Sequence, residues 1–143
     1  MSLTSDYIVG LVDGEGSFTV YVRDPKDTAP RVRRVLVEPR FYLKLIAKDK
    51  IILENLRIFF ECGAVYVQRD QRANHQLCYR YEVANREHLV RVIIPFFQKH
   101  ILKFPSKRKD FLVFCKMMEI ISNKRHLTPD GLQKLFELKQ TMH

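Results

Sequence analysis

Asp13 and Glu15 stand two residues apart in the stretch Tyr7-Ile8-Val9-Gly10-Leu11-Val12-Asp13-Gly14-Glu15-Gly16-Ser17-Phe18, framed by three glycines. Gly10 and Gly14 are four apart and share one face if the segment is helical. A glycine inside a helix costs about 1 kcal/mol against alanine. Two at this spacing therefore point to close approach of a second helix backbone. The two acids then fall at the helix C-terminus, where the macrodipole is already negative. Carboxylates so placed are balanced when a cation shares the site. Two such helices meeting through their glycines would offer a pair of carboxylates to divalent metal ions.

The elements that must position this segment follow from the hydrophobic pattern. Thr4 or Ser5 caps a short helix through Tyr7, Ile8, Leu11 and Val12, and Gly14 and Gly16 end it by a left-handed exit. From Ser17 the period becomes two: Phe18, Val20 and Val22 share one face of a strand, and Ser17, Thr19, Tyr21 and Arg23 the other. A loop from Asp24 to Pro30 leads to a second strand near Val35–Ala47, with Pro39 at a kink or an edge. Along it Phe41, Leu43 and Leu45 oppose Arg40, Tyr42 and Lys44. Asp49 caps a helix, Lys50–Phe60, that Gly63 ends; strands Ala64–Asp70 and Gln76–Ala84 flank a polar loop at Gln71–His75. Helices follow from Asn85 (interrupted at Pro95), over Lys107–Ser122, and from Thr128-Pro129 to Met142. The order predicts an α+β fold, one antiparallel four-stranded sheet with helices on one face.

Composition sets the bounds. A chain of 143 residues, 46% hydrophobic and 29% charged, is predicted to form one globular domain over 1–143. Its net charge of +9 attracts polyanions, of which nucleic acid is the usual one. The charge is clustered: residues 31–50 hold seven basic residues against two acidic, and residues 99–109 hold five basic and none acidic. A bare sheet face carrying Arg40, Tyr42 and Lys44 suits binding in a DNA groove. No apolar run reaches the ~18–20 residues of a membrane span, and the N-terminus lacks signal-peptide features. Cys62, Cys78 and Cys115 have no zinc spacing and read as reduced thiols of an intracellular protein. Secreted, membrane and fibrous classes are thereby excluded.

The string Ile8–Gly16, IVGLVDGEG, resembles the motif of the LAGLIDADG homing endonucleases. Supporting it are Leu45-Ile46-Ala47-Lys48-Asp49-Lys50, Ile93-Ile94-Pro95-Phe96-Phe97, Ser106-Lys107-Arg108-Lys109-Asp110-Phe111 and Leu127-Thr128-Pro129-Asp130-Gly131-Leu132-Gln133-Lys134. The resemblance implies an αββαββα fold whose four-stranded antiparallel sheet sits in the DNA major groove. It implies a site-specific double-stranded DNA endonuclease that hydrolyses phosphodiester bonds with Mg²⁺. Mn²⁺ would substitute, and Ca²⁺ would support binding without cleavage. One motif per chain implies a homodimer with Gly10, Asp13 and Gly14 at its interface, acting on a long near-palindromic site.

By the same resemblance Glu15 is the metal-binding catalytic acid, the Gly14 carbonyl adds a ligand, and Lys107 and Lys103 are the candidates for phosphate charge stabilisation. Ala47 departs from the polar residue that many relatives carry at this strand end. Strand alternation nominates Thr19, Tyr21, Arg23, Arg40, Tyr42 and Lys44 for base readout. Gln68 and Arg80 join them if the third and fourth strands pair in register. The expected partner is double-stranded DNA, inside an organelle or a prokaryotic cytoplasm and encoded within an intron. The alternative is a non-cleaving nucleic-acid-binding protein of the same fold, an intron RNA maturase or a DNA-binding regulator.

Overall fold

In the computed structural model, residues 2–27, 35–68 and 76–143 are described. Helix α1 (Ser5–Glu15) starts where the Thr4 hydroxyl accepts the Tyr7 N–H at 3.2 Å. The chain then enters β1 (Gly16–Val22) without a turn. Gly16 has φ −80° and ψ 157°, so the left-handed exit expected at this helix end does not occur. What Gly16 supplies is space: a Cβ there would lie 2.6 Å from Val12 Cγ1 and 2.9 Å from the Val12 carbonyl oxygen. The remaining elements are β2 (Val37–Ile46), a 3₁₀ turn (Ala47–Asp49), α2 (Lys50–Phe60), β3 (Ala64–Gln68) and β4 (Cys78–Val83). After them come α3 (Arg86–His88), a π-helical segment (Leu89–Ile93), α4 (Ile94–Lys99), α5 (Pro105–Ser122) and α6 (Pro129–Lys139). This is the predicted class: an open four-stranded antiparallel sheet, order β1-β2-β4-β3, with helices.

Several local expectations are corrected. Asp49 precedes α2 but makes no side-chain cap, because a 3₁₀ turn already leads into the helix. The first left-handed residue after α2 is Glu61 (φ 55°), followed by Gly63 (φ 87°), whose Cβ would meet the Tyr81 ring at 2.7 Å. Pro95 does not break its helix. The preceding turn widens to π geometry, with the Ile94 N–H reaching the Leu89 carbonyl, so the missing proline donor and its ring are accommodated. Pro39 lies within β2, beyond the last β4 pair, Phe41↔Val83, and β2 is an inner strand of the sheet. The Gln71–His75 loop and part of the Asp24–Pro30 loop fall outside the described residues.

The chain divides into two compact units, residues 1–17 with 40–104 and residues 18–39 with 105–143. In the first, Phe41, Leu43, Leu53, Leu56, Tyr81 and Phe97 are almost wholly buried. Phe41 meets Phe97 at 5.6 Å between ring centres, and the Tyr81 hydroxyl donates to the Cys62 carbonyl at 2.8 Å. In the second, Phe18 of β1 packs on Phe111 and Phe114 of α5 at 5.1 and 5.5 Å.

One polar contact fixes the end of α1 within the first unit. Asp13 is 4% exposed and turns inward. Its carboxylate accepts the Lys103 N–H at 3.0 and 3.1 Å and the Phe104 N–H at 3.1 Å. The Asp13 carboxylate is thus engaged inside the chain, at the helix end, by two backbone donors. Asp13→Ala strands both donors and is expected to lower unfolding free energy by about 2–3 kcal/mol, with Asp13→Asn milder. Urea denaturation reads the change, and an unaltered midpoint for the alanine variant would remove the tie from the account.

Candidate functional site

Helix α1 presents two different sides. Ile8, Val9, Val12 and Asp13 are buried. Tyr7 (49% exposed), Gly10 and Gly14 lie on the opposite side at helical spacing. A Cβ built at Gly10 or Gly14 would meet nothing within 4 Å. Among the described residues, then, nothing accounts for two costly glycines in a helix. Glu15, the last residue of α1, is exposed, and no hydrogen bond or ion pair ties it to the described residues. In the last helical turn the Gly14 carbonyl also lacks an intrahelical partner.

The two acids of the motif have thus parted. The cost of a carboxylate at a helix C-terminus is met for Asp13 by two N–H donors. For Glu15 it is not met among the described residues. The Asp13 contact also anchors the backbone of Lys103 beside the end of α1, and the Lys103 side chain is exposed. Lys107 lies in the other unit, in the first turn of α5, half-buried. Among the described residues no three His, Cys, Asp or Glu side chains gather into a metal cage. Mg²⁺ needs none: it is commonly held by one or two carboxylates with waters and phosphate oxygens. A lone exposed carboxylate beside the Gly14 carbonyl fits that donor set. Ala47 sits in the turn after β2, its N–H bonded to the Leu77 carbonyl at 2.9 Å, with exposed Lys48 next to it.

The sheet register decides which predicted base-reading residues meet. Tyr42 opposes Glu82 and Lys44 opposes Arg80 across β2 and β4. Tyr66 opposes Arg80 and Gln68 opposes Cys78 across β3 and β4. Directly opposed residues share a face, so Arg40, Tyr42, Lys44, Gln68 and Arg80 stand on one face. Phe41, Leu43 and Tyr81 point to the core on the other. Thr19, Tyr21 and Arg23 belong to the other unit; along β1 Thr19 and Tyr21 alternate with buried Phe18, Val20 and Val22. Thr19 does not stand open: its hydroxyl accepts the Lys139 ammonium of α6 at 3.0 Å. The Arg31–Arg34 part of the basic cluster lies outside the described residues.

Two members of the polar face went unnoticed in the sequence, Glu82 and Tyr66. Glu82 pairs with Arg80 at 2.8 Å and with Arg40 at 3.7 Å, and the Arg80 guanidinium lies 3.5 Å over the Tyr42 ring. Burial pushes the Tyr66 hydroxyl pKa up; nearby Arg80 lowers it, and the charge of Glu82 and a hydrogen bond to it raise it further. The alternation that nominated Arg80 also puts Glu82 on that face. What could not be read from it is that Tyr42 lies opposite.

No helix among the described residues is long and apolar enough to cross a membrane. Comparison with known proteins gives consistent relatives. Probable intron-encoded endonuclease 2 of Neurospora crassa is 29% identical over 137 residues, which is 96% of this chain and 27% of that protein. The crystal structure of the homing endonuclease I-TnaI matches 100% of this chain and 90% of its own, with TM-score 0.81 and 34% identity. I-SmaMI, solved bound to an uncleaved DNA target in the presence of calcium ions, matches 99% of this chain over 45% of its own, with TM-score 0.82 and 32% identity. The chain spans between 24% and 35% of the length of the curated relatives it matches. The profile described as LAGLIDADG endonuclease matches residues 8–118, from the motif helix through the sheet into α5, and the chain belongs to that family.

Proposed function

We propose that the chain is a LAGLIDADG endonuclease domain that cleaves both strands of double-stranded DNA at a specific long site. The observation that carries this reading is the end of α1: Glu15 exposed and, among the described residues, without a partner, beside an open Gly10–Gly14 face. The Glu15 carboxylate and the Gly14 carbonyl would hold a divalent ion, Mg²⁺ or in its place Mn²⁺, with DNA phosphate completing its shell; Ca²⁺ would support binding without cutting. Such an ion, when bound, activates water and stabilises the leaving oxygen. Lys103, its backbone tied by Asp13 next to the helix carrying Glu15, offers its ammonium to the phosphate, and Lys107 is the second candidate. Arg40, Tyr42, Lys44, Gln68 and Arg80 meet base edges from one sheet face; Tyr21 and Arg23 do so from β1, where Lys139 holds Thr19. The names of the relatives support an intron-encoded protein working inside the cell.

The open glycine face takes the same face of a second motif helix. In a homodimer that helix comes from a second copy, and two-fold symmetry then requires a near-palindromic site of on the order of 20 base pairs. The coverage of only 45% of the I-SmaMI chain favours a second arrangement, in which the partner helix belongs to the same polypeptide. Mass in solution separates the two: the dimer reading expects twice the 17.0 kDa of one chain, and a monomer that cuts both strands would overturn it.

Glu15→Gln is expected to bind DNA as wild type does and to cut it on the order of a thousandfold more slowly, the equivalent of several kcal/mol of lost charge stabilisation. The measurement is cleavage of a duplex selected from a randomised pool, with Mg²⁺ and then with Ca²⁺. Equal cutting by the variant would defeat the assignment of Glu15. Binding without cutting by the wild type in Mg²⁺ would favour the non-cleaving nucleic-acid-binding alternative.

A further inference from the structure

The polar face of β2, β4 and β3 is built around an acid. Glu82 stands among Arg40, Arg80 and Tyr66, on a surface that the proposed function turns toward a polyanion. A carboxylate there opposes phosphate by like-charge repulsion, so its presence needs a reason. The contacts supply one. Glu82 Oε1 lies 2.8 Å from an Arg80 terminal nitrogen and 3.7 Å from one of Arg40. The Arg80 and Glu82 side chains are 17% and 13% exposed, so their attraction is weakly screened; the Arg40 side chain, at 38%, reaches further into solvent. Arg80 is also held from below, its guanidinium 3.5 Å over the Tyr42 ring. Tyr66, opposite Arg80 on β3, stands on the same face, where burial and the charge of Glu82 raise its hydroxyl pKa.

We propose that Glu82 is a specificity-determining residue of the DNA-reading face: it fixes Arg80 and restrains Arg40 so that they answer to base edges rather than to any phosphate. This rests on the reading of the chain as a sequence-specific DNA-binding endonuclease. Non-specific affinity comes from neutralised phosphates, whereas discrimination comes from groups held at base edges. An arginine free to swing serves the first. An arginine locked on a tyrosine and a carboxylate is preorganised for the second. Glu82 therefore lowers affinity for arbitrary DNA and raises the ratio between the preferred sequence and the rest. Such a residue works partly through what it repels.

The test measures binding, with Ca²⁺ present so that cutting does not enter. The full chain selects from a duplex pool randomised over on the order of 20 base pairs, and its affinities for the selected and for random duplexes are followed against salt. For Glu82→Gln, affinity for random duplex is expected to rise several-fold, and the slope of log affinity against log salt to steepen by about one for each arginine released to phosphate. Preference at the base pairs under β2 and β4 is expected to fall by about five- to a hundredfold, the range of one good base contact. In an Arg80→Met background the same substitution is expected to change that preference much less, because the pair acts as a unit. Glu82→Asp keeps the charge and shortens the reach; it is expected to keep the salt slope and lose part of the preference, and it carries the test if the glutamine variant does not fold. Unchanged preference in a folded Glu82 variant overturns the proposal, whatever the salt slope does. A wild-type chain that enriches no sequence overturns the endonuclease reading itself, and this inference with it.

Discussion

Two backbone N–H groups, those of Lys103 and Phe104, close onto the carboxylate of Asp13, and this closure governs how the end of α1 is presented. A helix C-terminus is a poor place for negative charge, and the motif puts two acids there. Satisfying Asp13 from within turns one side of the helix into the unit. The opposite side then carries Tyr7, Gly10 and Gly14 outward, and Glu15 ends the helix exposed, with no partner among the described residues. Had both acids faced outward, the chain would hold two unbalanced carboxylates, and the Lys103 and Phe104 N–H groups would lose this acceptor. The division of labour between two residues of one type, two positions apart, comes from where the donors are.

The glycines show the same economy. Gly16 is needed inside the chain, because a side chain there would strike Val12. Among the described residues nothing near Gly10 and Gly14 needs them. Their cost in helix stability, about 1 kcal/mol each, is borne in the isolated chain without return. A second helix backbone brought against that face would supply the return as close packing. The family likeness is to structures both about the same length as this chain and about twice it.

The sheet contributes a second polar system of a different character. Its core face is aromatic and tightly buried around Phe41 and Tyr81, which holds β2, β4 and β3 in a fixed register. That rigidity is what lets the far face carry a defined set of charges. Arg80, Glu82, Tyr42 and Tyr66 are mutually engaged before any ligand arrives. Arg80, nominated for base readout, is held between Glu82 and the Tyr42 ring. Thr19, likewise nominated, is already engaged by Lys139.

The residues alone determined the parts of this protein that depend on near neighbours. The motif string fixed the helix and its acids. Period-two alternation fixed which side chains of β1 and β2 face outward, and Thr4, Asn85 and Thr128 marked their helix starts, each accepting the N–H three residues on. These are consequences of backbone geometry over two to four residues. The inward turn of Asp13 depends on donors 90 residues later, and the engagement of Thr19 on a lysine 120 residues later. The placing of Glu82 across from Tyr42 depends on strand register. Only the tertiary structure decided these, because alternation gives each strand two faces but does not say which residue of another strand lies opposite. The widened turn before Pro95 belongs with them: proline marks a disturbance in the sequence, but the packing of Ile93, Ile94 and Phe97 into the core keeps the helix running through it.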